Sequence, residues 1–372
     1  MERIEICIVG SGPAGIATAA ALVQRRPSLR DHVLVLEKVQ HPRHKLCGGG
    51  LTPWVDEILR ELGLEAQVPD FRIERVRFYV NDAPLLFDIP GLMRTVRRNE
   101  FDAALANSLR SKGVRLMENV AVQSLSEQSD GMLLHTTAGD FFAKLVVGAD
   151  GAKSVVRRQF FREEISRVSR LLEVLVPARN GALEDFNSQT ALIDFRPMRA
   201  GLQGYVWDFP CWIDGRPHLN VGLFDSRVHE NAAQTRADLP ALLEQHLAAR
   251  GFEPSTKVMG HPERWHHSAD CFSRPRVLLA GEAAGIEPWL GEGISAALAY
   301  GPIAAETLLH ALDTKDFSLR DYRERLRAHR LGKFLQRNRI VARLFYSRHL
   351  RAALPLFGRV LQGYMRLKHK SH

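Results

Sequence analysis

Apolar residues fall into two rhythms along this chain, and the rhythm changes twice. Residues 4–9 (IEICIV) and 33–36 (VLVL) are short, dense apolar runs, the composition of parallel strands buried on both faces. An alanine-rich stretch at 16–24 lies between them and reads as a helix, as does 54–64. Residues 72–89 alternate and read as two strands about the turn Asn81-Asp82-Ala83-Pro84. In 95–113, Phe101, Leu105 and Leu109 keep helical spacing and Gly113 stops the helix. Strand-like runs follow at 114–125, 131–137 and 144–147. From 170 to 268, LLEVLVP, TALIDF, GYVWDFP and HLNVGLF are separated by turn residues. That pattern predicts an antiparallel sheet, interrupted by a helix at 239–250. The first rhythm returns with a buried strand at 276–280 and a helix at 295–309, and the remainder reads as helical, with Pro355 its clear break.

The order predicts an α/β domain in three pieces (1–74, 97–168 and 269–312), a sheet domain inserted into it (75–96 and 169–268), and a helical C-terminal region (313–372). With 372 residues the chain is long enough for one large or two modest cores.

The loops that follow the strands carry the candidate chemistry. Gly10-Ser11-Gly12-Pro13-Ala14-Gly15 is a G-x-G-x-x-G between the first strand and the first helix. Gly10 allows the turn, Gly12 lets backbone approach a pyrophosphate, and Gly15 lets helix pack on strand. The phosphates then meet the free N–H groups of a helix N-terminus. Glu37 ends the second strand, where a carboxylate can hydrogen-bond ribose hydroxyls. Together these predict a dinucleotide site. The loop at 41–53 (HPRHKLCGGGLTP) carries Cys47 before Gly48, Gly49 and Gly50. Three glycines permit conformations closed to other residues, so the loop reads as passing close to a ligand with Cys47 facing it; a small buried hydrophobe is the other role open to that cysteine. Asp150, in Gly148-Ala149-Asp150-Gly151, stands where it can cap the next helix or face the ligand. Gly281-Glu282 and Gly291-Glu292-Gly293-Ile294 form a second strand–turn–helix opening that can aim another helix N-terminus at the same ligand. Tyr205, Trp207 and Phe209 alternate on one strand and share a face, which makes an aromatic wall.

Composition narrows the class. Hydrophobic residues are 45% and charged residues 25%, as in soluble globular proteins. No apolar run approaches the ~20 residues of a membrane span, and a first strand starting at Ile4 leaves no room for a signal peptide. The cysteines Cys7, Cys47, Cys211 and Cys271 are scattered without a C-x-x-C. No metal or disulfide framework is expected, and a cytoplasmic setting fits. The net charge of +9 is uneven: 320–372 holds 15 Lys/Arg against Asp321 and Glu324, or +13, leaving −4 for the rest. Apolar residues recur in steps of three and four within that basic region, so a cap on the body or attachment to an anionic membrane are both expected uses. No nucleic-acid module is present.

The glycine fingerprint at Gly10, Arg98-x-x-Phe101-Asp102 with Gly148-Ala149-Asp150-Gly151, and the Gly281 and Gly291 segments together resemble the FAD-dependent oxidoreductases of the para-hydroxybenzoate hydroxylase fold, over residues 1 to about 312. Lys45-x-Cys47-Gly48-Gly49-Gly50 and Tyr205-x-Trp207-x-Phe209-Pro210 are similar to motifs of the geranylgeranyl reductase family. The resemblance implies FAD, with NAD(P)H or ferredoxin as electron donor. It implies that Gly10, Gly12, Pro13, Ala14, Gly15, Glu37 and Lys38 hold the ADP half and that Arg98 contacts the middle of the cofactor. Asp150 and Gly151 would lie near the pyrophosphate, Gly281 and Glu282 at the ribityl chain, and Gly291, Gly293 and Ile294 beside the isoalloxazine, with Val120, Cys47, Gly48 and Gly49 completing the set. Glu282 stands where the family usually has Asp, so the ribityl contact must shift. Cys47, Tyr205 and Trp207 become the candidate catalytic residues. The implied reaction is reduction of carbon–carbon double bonds in an isoprenoid or similar small hydrophobic substrate, at the inner face of a membrane if the tail attaches there. A flavin monooxygenase or halogenase is the alternative; Tyr-x-Trp-x-Phe-Pro departs at two positions from the Trp-x-Trp-x-Ile-Pro of halogenases. A non-catalytic binder of prenylated proteins is a third, and the intact fingerprints argue against it.

Overall fold

In the computed structural model, which describes residues 2–161, 167–179, 181–229, 236–253 and 258–347, the first apolar run becomes the strand Glu2–Val9 at the middle of a sheet. It pairs in parallel with Val33–Leu36 on one side, Ile6 opposite Val33, and with Gly139–Gly148 on the other, Ile6 opposite Leu145. The order across the sheet is Ser273–Arg274, Val277–Leu279, Gly139–Gly148, Glu2–Val9, Val33–Leu36 and Arg115–Met117. The hairpin Val122–Glu127 and Met132–Thr136 extends from Gly139–Gly148.

The helix Pro13–Arg25 leaves the central strand through the glycine turn. Gly10 has φ +103°, and a Cβ on Gly15 would fall 2.0 Å from the Gly10 carbonyl oxygen, so both positions exclude a side chain. This helix packs on Arg98–Ser111 and on the long helix Ile294–Thr314. The second contact is nearly backbone to backbone, since a Cβ on Gly301 would lie 2.5 Å from Ala17. Arg25 Nη1 donates to the Pro302 carbonyl at 3.1 Å across the same seam.

A second sheet runs Met259–Arg264, Val168–Pro177, Arg216–Asp225, Gly204–Ile213, Thr190–Asp194, Asp70–Tyr79, Leu85–Val96 and Gly50–Leu51. Its pairings are antiparallel apart from one: Thr190–Asp194 lies parallel to Asp70–Tyr79. Two widely separated pieces of chain meet at that seam, so no hairpin dictates their direction. The strand starts at Asp70, ahead of the boundary at 75, and the glycine loop adds Gly50–Leu51 at the edge. The helix expected from 95 begins at Arg98, because β-branched Thr95 and Val96 continue the strand. Val96 N donates to the Gly49 carbonyl at 3.0 Å, tying loop to sheet.

Of the C-terminal region, the helices Tyr322–Ala328 and Arg330–Phe345 are described. Their inner face buries Tyr322, Leu326, Leu331, Leu335, Ala342 and Tyr346. Tyr322 Oη donates to the Leu279 carbonyl at 2.8 Å and Tyr346 Oη to that of Trp289. The outer face exposes Lys333, Arg337, Arg343, Ile340 and Leu344. Pro355 and the basic residues after Tyr346 and Ser347 lie outside the described residues. Among those described, no helix is long and apolar enough to cross a membrane.

Candidate active site

A cavity of about 750 Å³ runs between the two sheets, within the range of small-molecule and cofactor sites. At one end its wall is Gly10, Gly12, Pro13 and Ala14, with Glu37, Lys38 and Val120 beside them and Asp150 and Gly151 opposite. Cys47, Gly48, Gly49 and Arg98 line the middle. Tyr205, Trp207 and Phe209 form the far wall, and Glu282, Gly291, Gly293 and Ile294 close the floor. Gly15 and Gly281 are absent from the wall. Gly15 packs on the first strand, and Gly281, at φ +63°, would put a Cβ 2.5 Å from that of Ala14.

The glycine end suits a pyrophosphate. No side chain caps the helix Pro13–Arg25, and Gly12 at its N-cap has an ordinary φ of −73°. A Cβ on Gly12 would meet only Arg43 Nη2, at 3.7 Å, so the space above the first turn is open. The N-terminus of Ile294–Thr314 is likewise uncapped by a side chain. Arg43, which the sequence reading passed over, links the polar groups here. It sits 3.6 Å from Glu37 and 3.4 Å from Asp102. Glu37 Oε2 also accepts from the Ser11 amide and hydroxyl at 3.0 and 2.9 Å. Asp102 receives a bidentate pair from Arg98 at 2.9 and 3.0 Å. Burial opposes both charges, but each outweighs it for the other: Asp102 is held below the usual carboxylate range and the guanidinium is firmly protonated.

Asp150 caps the next helix and also lines the cavity. Its Oδ2 accepts from Val155 N at 2.6 Å at the start of the helix Val155–Phe160, while Oδ1 is buried without a hydrogen-bond partner. Burial pushes its carboxyl up.

The glycine loop is fastened by its backbone. Cys47 N donates to Glu173 Oε2 at 2.6 Å, and Asn220 Nδ2 donates to the Cys47 carbonyl at 3.0 Å. Asn220 Oδ1 accepts from Trp207 Nε1 at 3.0 Å, so one amide joins loop and wall. A Cβ on Gly48 would stand 3.1 Å from the Phe209 ring and 3.3 Å from Trp207 Nε1. The thiol accepts from Gly49 N at 3.4 Å. Tyr205 Oη donates to the Leu290 carbonyl at 2.6 Å, and burial raises its hydroxyl well above the usual phenol range. Tyr205 and Trp207 thus turn their polar atoms into the protein and their ring faces to the cavity. Trp207 is 6.0 Å from each neighbouring ring and only 2% exposed.

Glu173 is the one acid in its apolar strand, and burial pushes it up to about 7 despite the Cys47 amide. The native state therefore keeps a proton that the unfolded chain releases near pH 4.5. Stability from this group falls as pH rises between those values, by roughly 3 kcal/mol in all, and levels off above the upper one. Glu173→Gln should remove that slope in urea unfolding measured from pH 4.5 to 7.5; parallel curves for parent and variant would refute the assignment.

At the floor, Lys45 Nζ donates to His261 Nε2 at 2.6 Å and to Glu282 Oε2 at 3.1 Å. Burial alone would raise Glu282, but Lys45 and His261 hold it at about 2. Its extra methylene relative to Asp carries the carboxylate across to Lys45.

An uncapped helix N-terminus on a glycine fingerprint, an acid at the end of the second strand, and a second sheet walling the same cavity define a flavin-dinucleotide-binding oxidoreductase fold. Residues 3–334 match the FAD binding domain family, and the chain belongs to it. A menaquinone reductase of Mycolicibacterium smegmatis is 29% identical over 330 residues, 82% of this chain and 76% of that one. Digeranylgeranylglycerophospholipid reductase 2 of Methanosphaera stadtmanae is 24% identical over 346 residues, covering 87% and 82%. The crystal structure of a geranylgeranyl bacteriochlorophyll reductase-like protein from Thermoplasma acidophilum shares the fold, with a TM-score of 0.74 at 19% identity over 93% of this chain and 87% of that one. The protein is therefore an FAD-dependent oxidoreductase by family and by fold, as the three fingerprints implied.

Proposed function

We propose that the protein reduces carbon–carbon double bonds of an isoprenoid lipid, with NAD(P)H or ferredoxin supplying electrons. The observation that carries this reading is the far wall: Tyr205, Trp207 and Phe209 face the cavity with their rings, and their polar atoms are satisfied elsewhere. Such a wall fits an apolar chain and offers no hydrogen bond to a polar substrate. Relatives named for menaquinone and digeranylgeranylglycerophospholipid support it, because both lipids carry isoprenoid chains.

The residues at the glycine end would hold FAD: Gly12 and Ala14 at the pyrophosphate, Glu37 at the ribose, Arg43 and Arg98 between. Bound reduced FAD supplies a hydride equivalent, and the protein's part is to orient the chain, exclude water and provide a proton. The Cys47 loop, locked by Glu173 and Asn220, would hold the flavin and the substrate chain in register. Dithionite-reduced protein, mixed without oxygen with geranylgeranyl lipids, should yield products heavier by two hydrogens per reduced bond. Unchanged lipid, together with substrate-dependent oxygen consumption in air, would turn the assignment to a monooxygenase.

The outer face of Arg330–Phe345 adds a location to this reading. Lys333, Arg337 and Arg343 surround Ile340 and Leu344, the latter 65% exposed. Each cation near an anionic bilayer contributes ~1 kcal/mol. Sedimentation with anionic but not neutral vesicles is expected, weakening with salt. Equal binding to both kinds, or none, would leave these helices as a cap.

A further inference from the structure

Glu263 has no part in the mechanism so far, yet it occupies the most consequential corner of the cavity. It lies on the strand Met259–Arg264, paired with Val168–Pro177, and lines the floor. Its carboxyl straddles the glycine loop: a Cβ on Gly291 would be 3.1 Å from Oε2, and one on Gly293 3.4 Å from Oε1. The residue is 8% exposed, and Oε2 is buried without a hydrogen-bond partner among the described residues. An unpaired buried carboxyl beside a cofactor loop is costly and is sustained by being neutral. Burial pushes it well above the usual range, and Glu282, Cys47 and Glu287 add to this against Lys45. Tyr205 also faces it.

His261 lines the same cavity. His261 precedes Glu263 by two residues and so shares its face of the strand. Its Nε2 accepts from Lys45 and stands 3.6 Å from Glu282. The His261 side chain is 24% exposed, enough to reach solvent.

We propose that Glu263 is the proton donor of the reaction, reloaded from solvent through His261. This rests on the reductase reading above. As the π bond of the alkene breaks, the hydride and its electron pair form one C–H bond and the flavin is oxidised. The Glu263 O–H bond breaks, its proton forms the second C–H bond, and its electron pair stays on the carboxylate. A proton from water then restores the acid. Cys47 and Tyr205, the donors suggested by sequence, face the same space, but Tyr205 already donates to Leu290.

Glu263→Gln keeps the size and neutrality of the protonated acid and cannot give up a proton, whereas Glu263→Asp can. Infrared spectra of the FAD-loaded protein at pH 8, above the range in which Glu173 titrates, should show a protonated-carboxyl band that is missing in Glu263→Gln. Turnover per bound flavin should fall on the order of 100-fold in Glu263→Gln and recover in part in Glu263→Asp. A spectrum unaltered by Glu263→Gln, or turnover within threefold of the parent, would overturn the proposal. A parent protein inert toward every prenyl lipid while retaining the band would overturn the reductase reading, and the donor role with it.

Discussion

Gly12→Val should purify without the yellow colour of bound flavin. The valine methyls would fill the opening above the first turn of Pro13–Arg25, where Gly12 now meets only Arg43 Nη2 at 3.7 Å. Phosphate oxygens need that space to reach the helix amides. FAD affinity should fall at least on the order of 100-fold, about 2.7 kcal/mol. The fold should survive, because φ at Gly12 is −73° and any residue adopts it. Only the N-cap preference is lost, on the order of 1 kcal/mol. Flavin absorbance per mole of protein, with circular dichroism as control, decides the matter. A fully loaded variant would move the cofactor elsewhere.

Cys47→Ser should keep its FAD and lose turnover. Both backbone anchors of the loop, to Glu173 and from Asn220, are independent of the side chain, so the loop should hold its shape. The thiol accepts a long bond from Gly49 N, at 3.4 Å, and lies on the cavity wall. A smaller, strongly hydrogen-bonding hydroxyl would retain water beside the reacting chain. Misplacement on the scale of 1 Å costs on the order of 100-fold in rate. FAD affinity within twofold of the parent with kcat down at least tenfold is the expected pair of results. An unchanged kcat would make Cys47 a packing residue.

The cofactor end of the site was legible because its parts are local. A continuous apolar run, a glycine turn and a helix occupy residues 2–25 in one piece. The floor and the middle were legible only in part. Glu173 left a trace, as a single acid in LLEVLV, which marks a carboxyl buried for a purpose. Glu263 left none: in GHPERW it looks like any surface residue, and only pairing with Val168–Pro177 turns it toward the glycine loop. Arg43 was visible in HPRHK, but its partners Glu37 and Asp102 come from other elements. The parallel seam between Thr190–Asp194 and Asp70–Tyr79 was hidden for a similar reason. Alternation shows which residues share a face; it carries no information about which strand lies alongside.

The seam between Pro13–Arg25 and Ile294–Thr314 also bears on how the protein is made. Gly301 and Ala17 touch almost backbone to backbone, and Arg25 and Arg26 reach Pro302 and Asp313. A ribosome emits residues in order, at ~5–20 per second. The glycine fingerprint is therefore synthesised well before the helix that seats it. Until that helix emerges, the nascent chain exposes an alanine-rich surface that needs a partner. Flavin capture would then wait for that helix, and chains truncated before residue 294 should be taken up by chaperones as apoprotein whatever the supply of FAD.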